Sequence, residues 1–161
     1  MSDIERLFEQ HHAALYRFAR VLLHQPEDAE DVVQVAFVRL MEHLARGGDQ
    51  TNLRAWLFTV TANLARDRIR ARRRWMPWDD VPEPRVAAET MLDSHDPQRE
   101  FLATAHRLAP RDRLLLALRA QGLSYREIAE AAHIRPASVG QLLARALARW
   151  KRAREGMSVI G

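Results

Sequence analysis

The chain has 161 residues, 47% of them hydrophobic, a formal net charge of +4 and no cysteine. That is enough apolar material for one ordinary domain or two small ones, and it excludes global disorder, disulfides and thiolate zinc sites. No apolar run approaches the roughly 20 residues of a membrane span, and MSDIERLFEQ lacks a signal-peptide profile, so a cytoplasmic protein without membrane insertion is expected.

The modest net charge hides a pattern. Residues 1–50 carry nine acids against five arginines, residues 75–98 carry six acids against Arg85 alone, and residues 135–154 carry six bases and no acid. Basic blocks separated by acidic ones suggest two nucleic-acid contacts with something else between them.

Ile4, Leu7, Phe8, Leu15, Phe18, Ala19 and Leu22 keep a helical period and predict a first helix over 4–24. Pro26 punctuates it. A second helix over 27–45 opens on Glu27, Asp28, Glu30 and Asp31, acids that suit a helix N-terminus. Its inward face is Ala29, Val33, Ala36, Phe37, Leu40 and Leu44. Val32 and Val35 fall beside that stripe, next to Asp31 and Gln34, which reads either as an exposed docking strip or as a wider buried face.

Residues 47–51, GGDQT, form a loop, and Asn52 is a candidate cap for a long helix over 53–74. Leu53, Trp56, Leu57, Val60 and Leu64 face a core. Thr59, Asn63, Arg66, Arg70 and Arg73 fall on one side as a polar stripe. Six arginines within residues 66–74, against the lone acid Asp67, point past a merely solvated face to nucleic acid.

From Trp75 to about His95, Pro77, Pro82 and Pro84 break any helix and acids dominate, giving a linker in which Trp75 and Trp78 are expected to pack back on the first domain. Asp96-Pro97 starts a helix with Phe101, Leu102, Ala105 and Leu108 inward, and Pro110 starts another, stopped at Gly122. Ser124 to Glu127 is a capping box. A short helix follows with Ile128, Ala129 and Ala132, then a turn at His133-Ile134-Arg135. Pro136 opens a last helix holding Val139, Leu142, Leu143, Ala146 and Trp150. An ordinary helical hairpin would show the same two helices. The capping box, the small Ala129, the apolar turn residue Ile134 and the basic second helix favour a DNA-binding helix-turn-helix.

LYRFARVLL, EDAEDVVQVAF, RAWLFTVTANLARDRIRARRR, GLSYREIAEAAHI and SVGQLLARALARW, in that order, resemble the extracytoplasmic-function group of the sigma-70 family, the promoter-recognition subunits of bacterial RNA polymerase. The resemblance runs from about Leu7 to Arg154. It implies an all-α fold of two small helical domains: a three- to four-helix region 2-like domain over 1–75, an acidic linker over 76–95, and a four-helix, helix-turn-helix region 4-like domain over 96–161.

The roles it implies are specific. Asp28, Asp31, Val32, Gln34 and Val35 fall where the family docks on the clamp helices of the largest polymerase subunit, with Phe37 as core. Asn63, Arg66, Asp67, Arg70 and Arg73 fall on the helix that meets the minus-ten element, and the loop from Gly47 to Asn52 where a flipped base is pocketed. Arg135, Ser138, Gln141, Arg145 and Arg149 fall in the unit that reads the minus-thirty-five element, with Ser138, Gln141 and Arg145 offered to bases and Arg135, Arg149, Lys151 and Arg152 nearer phosphates. The partners implied are the polymerase core, through its clamp helices and flap region, promoter DNA, and an anti-sigma factor. The linker is expected to thread through the polymerase toward the RNA path, and no inhibitory extension is expected ahead of the first domain. Two residues depart from the family pattern: Val35, where an acid usually follows the Gln, and Gly140, where a Lys or Arg often follows the Val.

A stand-alone helix-turn-helix regulator is the alternative. An enzyme is disfavoured: His11 and His12 point to different helix faces, and no phosphate loop, nucleophile grouping, catalytic residue, metal site or cofactor motif appears.

Overall fold

The computed structural model describes residues 2–75 and 97–160, with side chains over 2–72 and 97–156. The described residues form helices α1 (Asp3–Leu22), α2 (Pro26–Ala45), α3 (Leu53–Trp75), α4 (Pro97–His106), α5 (Pro110–Ala120), α6 (Tyr125–Ala132) and α7 (Val139–Ile160), with a single 3-10 turn at Pro136–Ser138 before α7. Among the described residues there is no strand. The expected linker over 76–95, the cap at Asp96, the packing of Trp78 and the side chains of Arg73 and Trp75 lie outside them.

The helix ends follow local chemistry. Ser2 and Glu5 close a capping box on α1, and Ser124 and Glu127 close the expected one on α6. Asn52 accepts a bond from the Ala55 amide at 3.1 Å and so caps α3. α2 and α5 begin on prolines, whose missing N–H costs nothing at a first position. Gly122 ends the α5 turn at a φ of 81°, and His133 ends α6 in the left-handed region at 58°. His133 is the only non-glycine residue with positive φ among the described ones.

The first three helices pack on one another around Leu15, Phe18, Val33, Leu40, Leu57 and Phe58, and the last four around Leu115, Leu118, Ile128 and Val139. The two groups are not separate bodies. α1 packs on α4 and α5, α3 packs on α6, and the buried apolar cluster is continuous from Leu15 to Leu143. Phe8, counted in the first helix's apolar period, is 40% exposed and lies against the Phe37 ring with 5.0 Å between centroids.

Between α2 and α3 the loop is tightly built. The His43 ring reaches under it, bonded to the Asp49 carbonyl at 2.9 Å and stacked on Trp56 at 4.6 Å. Asp49 accepts from the Thr51 amide at 2.9 Å and from its hydroxyl. A β-carbon at position 48 would run into the pinned His43 ring. Gly48→Ala is therefore expected to lower stability by about 1–3 kcal/mol, the usual cost of overpacking. Thermal unfolding measures this, and an unchanged midpoint would mean that the ring moves aside freely.

Candidate nucleic-acid interface

On α3 the expected polar stripe is present. Thr59, Asn63 and Arg66 are half-buried, while Asp67 and Arg70 are exposed. Arg66 is fixed rather than loose: its Nη1 donates to Asn63 Oδ1 at 2.9 Å and its Nη2 to the Ala131 carbonyl at 2.9 Å. Burial, then the neighbouring Arg70, lowers the Arg66 pKa below its ordinary value, though a guanidinium stays charged near neutral pH. Arg68 and Arg72, on a different side of α3, pair with α2. Arg68 bonds Asp28 at 2.9 Å and also meets Asp31, and Arg72 meets Asp28.

Those pairs alter the reading of α2. The Asp28 side chain is only 18% exposed and sits between two arginines, where it ties α2 to α3. Val32, expected in the docking strip, is 2% exposed and belongs to the core; the wider-buried-face alternative is the correct one for it. Val35 is half-buried, and Phe37 is core as expected. What α2 presents outward is Glu27, Glu30, Asp31, Gln34, Val38 and Met41, all exposed and on one stripe by helical spacing. Val38 and Met41 are each 52% exposed, which makes them the apolar part of that stripe. Sequence reasoning missed them, although Gln34, Val38 and Met41 keep the i, i+4, i+7 spacing of one face.

In the second half, α6 and α7 cross through the turn at 133–135 as a helix-turn-helix, with Ala129 buried and Ile134 half-buried between them. Arg135, Gln141 and Arg145 are exposed and Ser138 is half-buried; Ser138, Gln141 and Arg145 share one face of the helix entry. Tyr125 lies beside Gly140 at that entry. A β-carbon there would stand 3.5 Å from the Tyr125 ring, an ordinary contact, and the Arg119 guanidinium lies 5.3 Å above the ring's centre. Arg149 departs from expectation. Its Nη1 donates to both carboxylate oxygens of Asp112, at 3.1 and 2.9 Å, and the Asp112 side chain is 5% exposed. Arg149 is thus first a partner for a buried acid and not a free phosphate contact. Arg149→Ala is expected to lower stability by about 1–3 kcal/mol, because a buried charged acceptor loses its donors. Denaturant unfolding reads this; a loss below about 0.5 kcal/mol would restore Arg149 to a surface role.

Two sequence models match the chain, one for each half: sigma-70 region 2 over residues 7–75 and sigma-70 region 4 over residues 98–149. The sigma factor EcfG of Rhodopseudomonas palustris, an extracytoplasmic-function RNA polymerase sigma factor, is 31% identical over 150 residues, spanning 91% of this chain and 78% of that one. The chain belongs to the extracytoplasmic-function sigma factors of the sigma-70 family. The sigma factor CarQ of Myxococcus xanthus is 28% identical over 135 residues, 82% of this chain and 78% of CarQ. In fold, this sigma factor is similar to RpoE of Bartonella quintana, solved with the anti-sigma factor NepR, at a TM-score of 0.73 and 20% identity over 96% of this chain and 98% of that one.

A sigma factor directs RNA polymerase to promoters, and its partners are the polymerase core and promoter DNA. No helix among the described residues is long and apolar enough to cross a membrane, and no cluster among them has the ligands for a metal ion.

Proposed function

We propose a division of labour among three faces of this sigma factor. The polar face of α3, with Asn63, Arg66 and Arg70 beside the exposed Asp67, receives the non-template strand of the minus-ten element and helps to hold it open. Amides and guanidinium groups on one helix face suit unstacked bases and phosphates. The loop over 47–52, pinned by His43, Asp49 and Asn52, lies at the start of the same helix and supplies the wall of a pocket for an extruded base. The outward stripe of α2, from Asp31 and Gln34 to Val38 and Met41, docks on the clamp helices of the largest polymerase subunit.

The α7 face reads the minus-thirty-five element in the major groove, with the flap region of the polymerase holding this half in place. Gln141 suits adenine and Arg145 suits guanine by bidentate geometry, with Ser138 beside them and Arg135 toward phosphate. On this reading a minus-ten domain over 1–75 and a minus-thirty-five domain over 96–161 are joined by the acidic stretch at 76–95; the family matches at 7–75 and 98–149 fall within those two domains and support the division. The chain works in the cytoplasm and catalyses nothing itself; RNA synthesis belongs to the polymerase. An anti-sigma factor is a fitting partner, since RpoE of Bartonella quintana is bound by one.

The observation that carries this reading is that Asp67 and Arg70 on α3, Asp31, Gln34, Val38 and Met41 on α2, and Gln141 and Arg145 on α7 are exposed while the opposite side of each helix is core. The test is transcription from genomic fragments by core polymerase with and without the chain, followed by sequencing of the transcript starts. Starts that share two spaced elements only when the chain is present support the reading; duplex binding without any polymerase dependence would favour a stand-alone regulator. For the polymerase face, Met41→Asp is expected to weaken core binding at least about tenfold, roughly 1.4 kcal/mol, without unfolding the chain. Fluorescence anisotropy of the labelled chain measures it, and unchanged binding would remove the α2 stripe from the interface.

A further inference from the structure

A hollow of about 350 Å³ opens between the α4–α5 turn and the later part of α7. Three arginines line it: Arg107 from the turn, and Arg149 and Arg152 from α7. Its single acid is Asp112, in the first turn of α5, and both Asp112 oxygens already accept from Arg149 Nη1. Leu108, Ala109 and Ala153 make the rest of the wall apolar. α7 packs on both α4 and α5, so the backbone that carries these arginines is held in place by the core beneath it.

Asp112 accounts for Arg149. Nothing comparable accounts for the other two: Arg107 and Arg152 are exposed, and among the described residues their side chains make no hydrogen bond or ion pair. Three guanidiniums against one carboxylate leave two positive charges in one small hollow. Like charges gathered this way repel, and a bound anion relieves the repulsion. A guanidinium fork matches phosphate oxygens through paired N–H···O bonds. A terminal phosphate carries about two negative charges at neutral pH, which balances the hollow. Each phosphodiester of DNA carries only one. The hollow is larger than a phosphate group alone fills, and its apolar wall suits the uncharged body of an ester.

We infer that this hollow binds the terminal phosphate of a small phosphate ester such as a nucleotide, with Arg107 and Arg152 as its ligands and Arg149 as a wall anchored by Asp112. The site shares no residue with Ser138, Gln141 and Arg145 and does not depend on the promoter reading.

Calorimetric titration of the full chain with ADP tests it, with adenosine and inorganic phosphate as companion probes. One ADP per chain is expected to bind with a Kd below about 1 mM. Inorganic phosphate is expected to compete, and adenosine not to bind. Arg107→Gln and Arg152→Gln, on separate elements, are each expected to weaken ADP binding at least about tenfold, the loss of a hydrogen bond to a charged group. The unfolding midpoint of each variant without ADP is expected to stay unchanged or to rise. Arg39→Gln makes the same charge change at an exposed position of α2 and is expected to leave ADP affinity unaltered. No saturable ADP binding up to about 5 mM overturns the site. So does adenosine binding as tight as that of ADP, or equal weakening by R39Q and R107Q. A duplex arm separates the sources of phosphate: holoenzyme with R107Q is expected to hold a minus-thirty-five fragment as tightly as the unaltered holoenzyme. Weaker duplex binding without any ADP binding would make the hollow a DNA-backbone contact and overturn the small-ligand assignment.

Discussion

Phe58→Ala is expected to lower the free energy of unfolding by about 3–5 kcal/mol, the range for truncating a buried aromatic ring. Phe58 is fully buried on α3, the one helix that packs on α1, on α2 and on α6. Its ring meets Phe18 edge-on, with centroids 5.1 Å apart at 84°, and the Arg54 guanidinium lies 5.0 Å from its centre. Removing the ring leaves a void at the junction of both halves and takes away the support for Arg54, which reaches the Gln121 carbonyl. Phe58→Leu refills most of the volume and is expected to cost about half as much. Denaturant unfolding at constant slope is the measurement. A loss under about 1 kcal/mol for the alanine variant would mean that the site collapses, and that the continuous core does not depend on this ring.

Acidification from pH 6.5 to pH 4 is expected to remove about 3 kcal/mol through one residue, His106, on the linkage relation between pKa and stability. Its pKa is lowered to about 4, first by burial, then by His24, with Arg113 and Arg20 adding to the effect and the Arg20 carbonyl opposing it. The geometry explains the direction. His106 Nε2 donates to the Arg20 carbonyl at 3.0 Å, so neutral His106 presents a bare Nδ1 to His24 Nδ1, 3.2 Å away. A second proton would put a charge on the buried His106 ring and take away the acceptor it offers to His24. His24 is also lowered, by burial first and then by Arg113, Arg72 and Arg20. The folded form binds fewer protons than the unfolded one over this window. Its stability is therefore full above the unfolded value near 6.5, falls with pH, and reaches its floor below about 4. Unfolding curves across this range should show a steeper loss for the parent chain than for His106→Asn, which keeps a donor for the Arg20 carbonyl and does not titrate. Parallel slopes would show that His106 is protonated in the fold at no cost. Since His106 joins α4 to α1, the same acid titration should loosen the two halves before either melts.

Much of this was legible because it is local. The capping box at Ser124 and Glu127, the cap at Asn52 and the stop at Gly122 each depend on neighbours within four residues, and all stand where the sequence places them. Phe37 and Leu40 keep a strong helical period and are core. Val32 was ambiguous because α2 is buried across a wide arc, against both α1 and α3, so a residue beside the main stripe still meets apolar partners. Val38 and Met41 were hidden because apolar residues occupy most of the circumference of α2 beyond its first turn, so spacing alone does not separate an exposed apolar residue from a core one. Arg149 looked free because its partner, Asp112, lies 37 residues earlier on α5. The packing of α6 on α3 was equally hidden: Arg66 and Ala131 are 65 residues apart, and neither side carries an apolar run that announces the other.

The most direct measurement of the account is promoter opening by the holoenzyme, read as permanganate reactivity of unpaired thymines in the minus-ten element. With Asn63→Ala/Arg70→Ala in the sigma factor, the account predicts that reactivity falls about 10- to 100-fold, as expected for two lost strand contacts of ~1–2 kcal/mol each that are not fully additive, while core binding stays unchanged. Reactivity equal to that of the unaltered holoenzyme would contradict it, since the polar face of α3 would then have no part in holding the open strand.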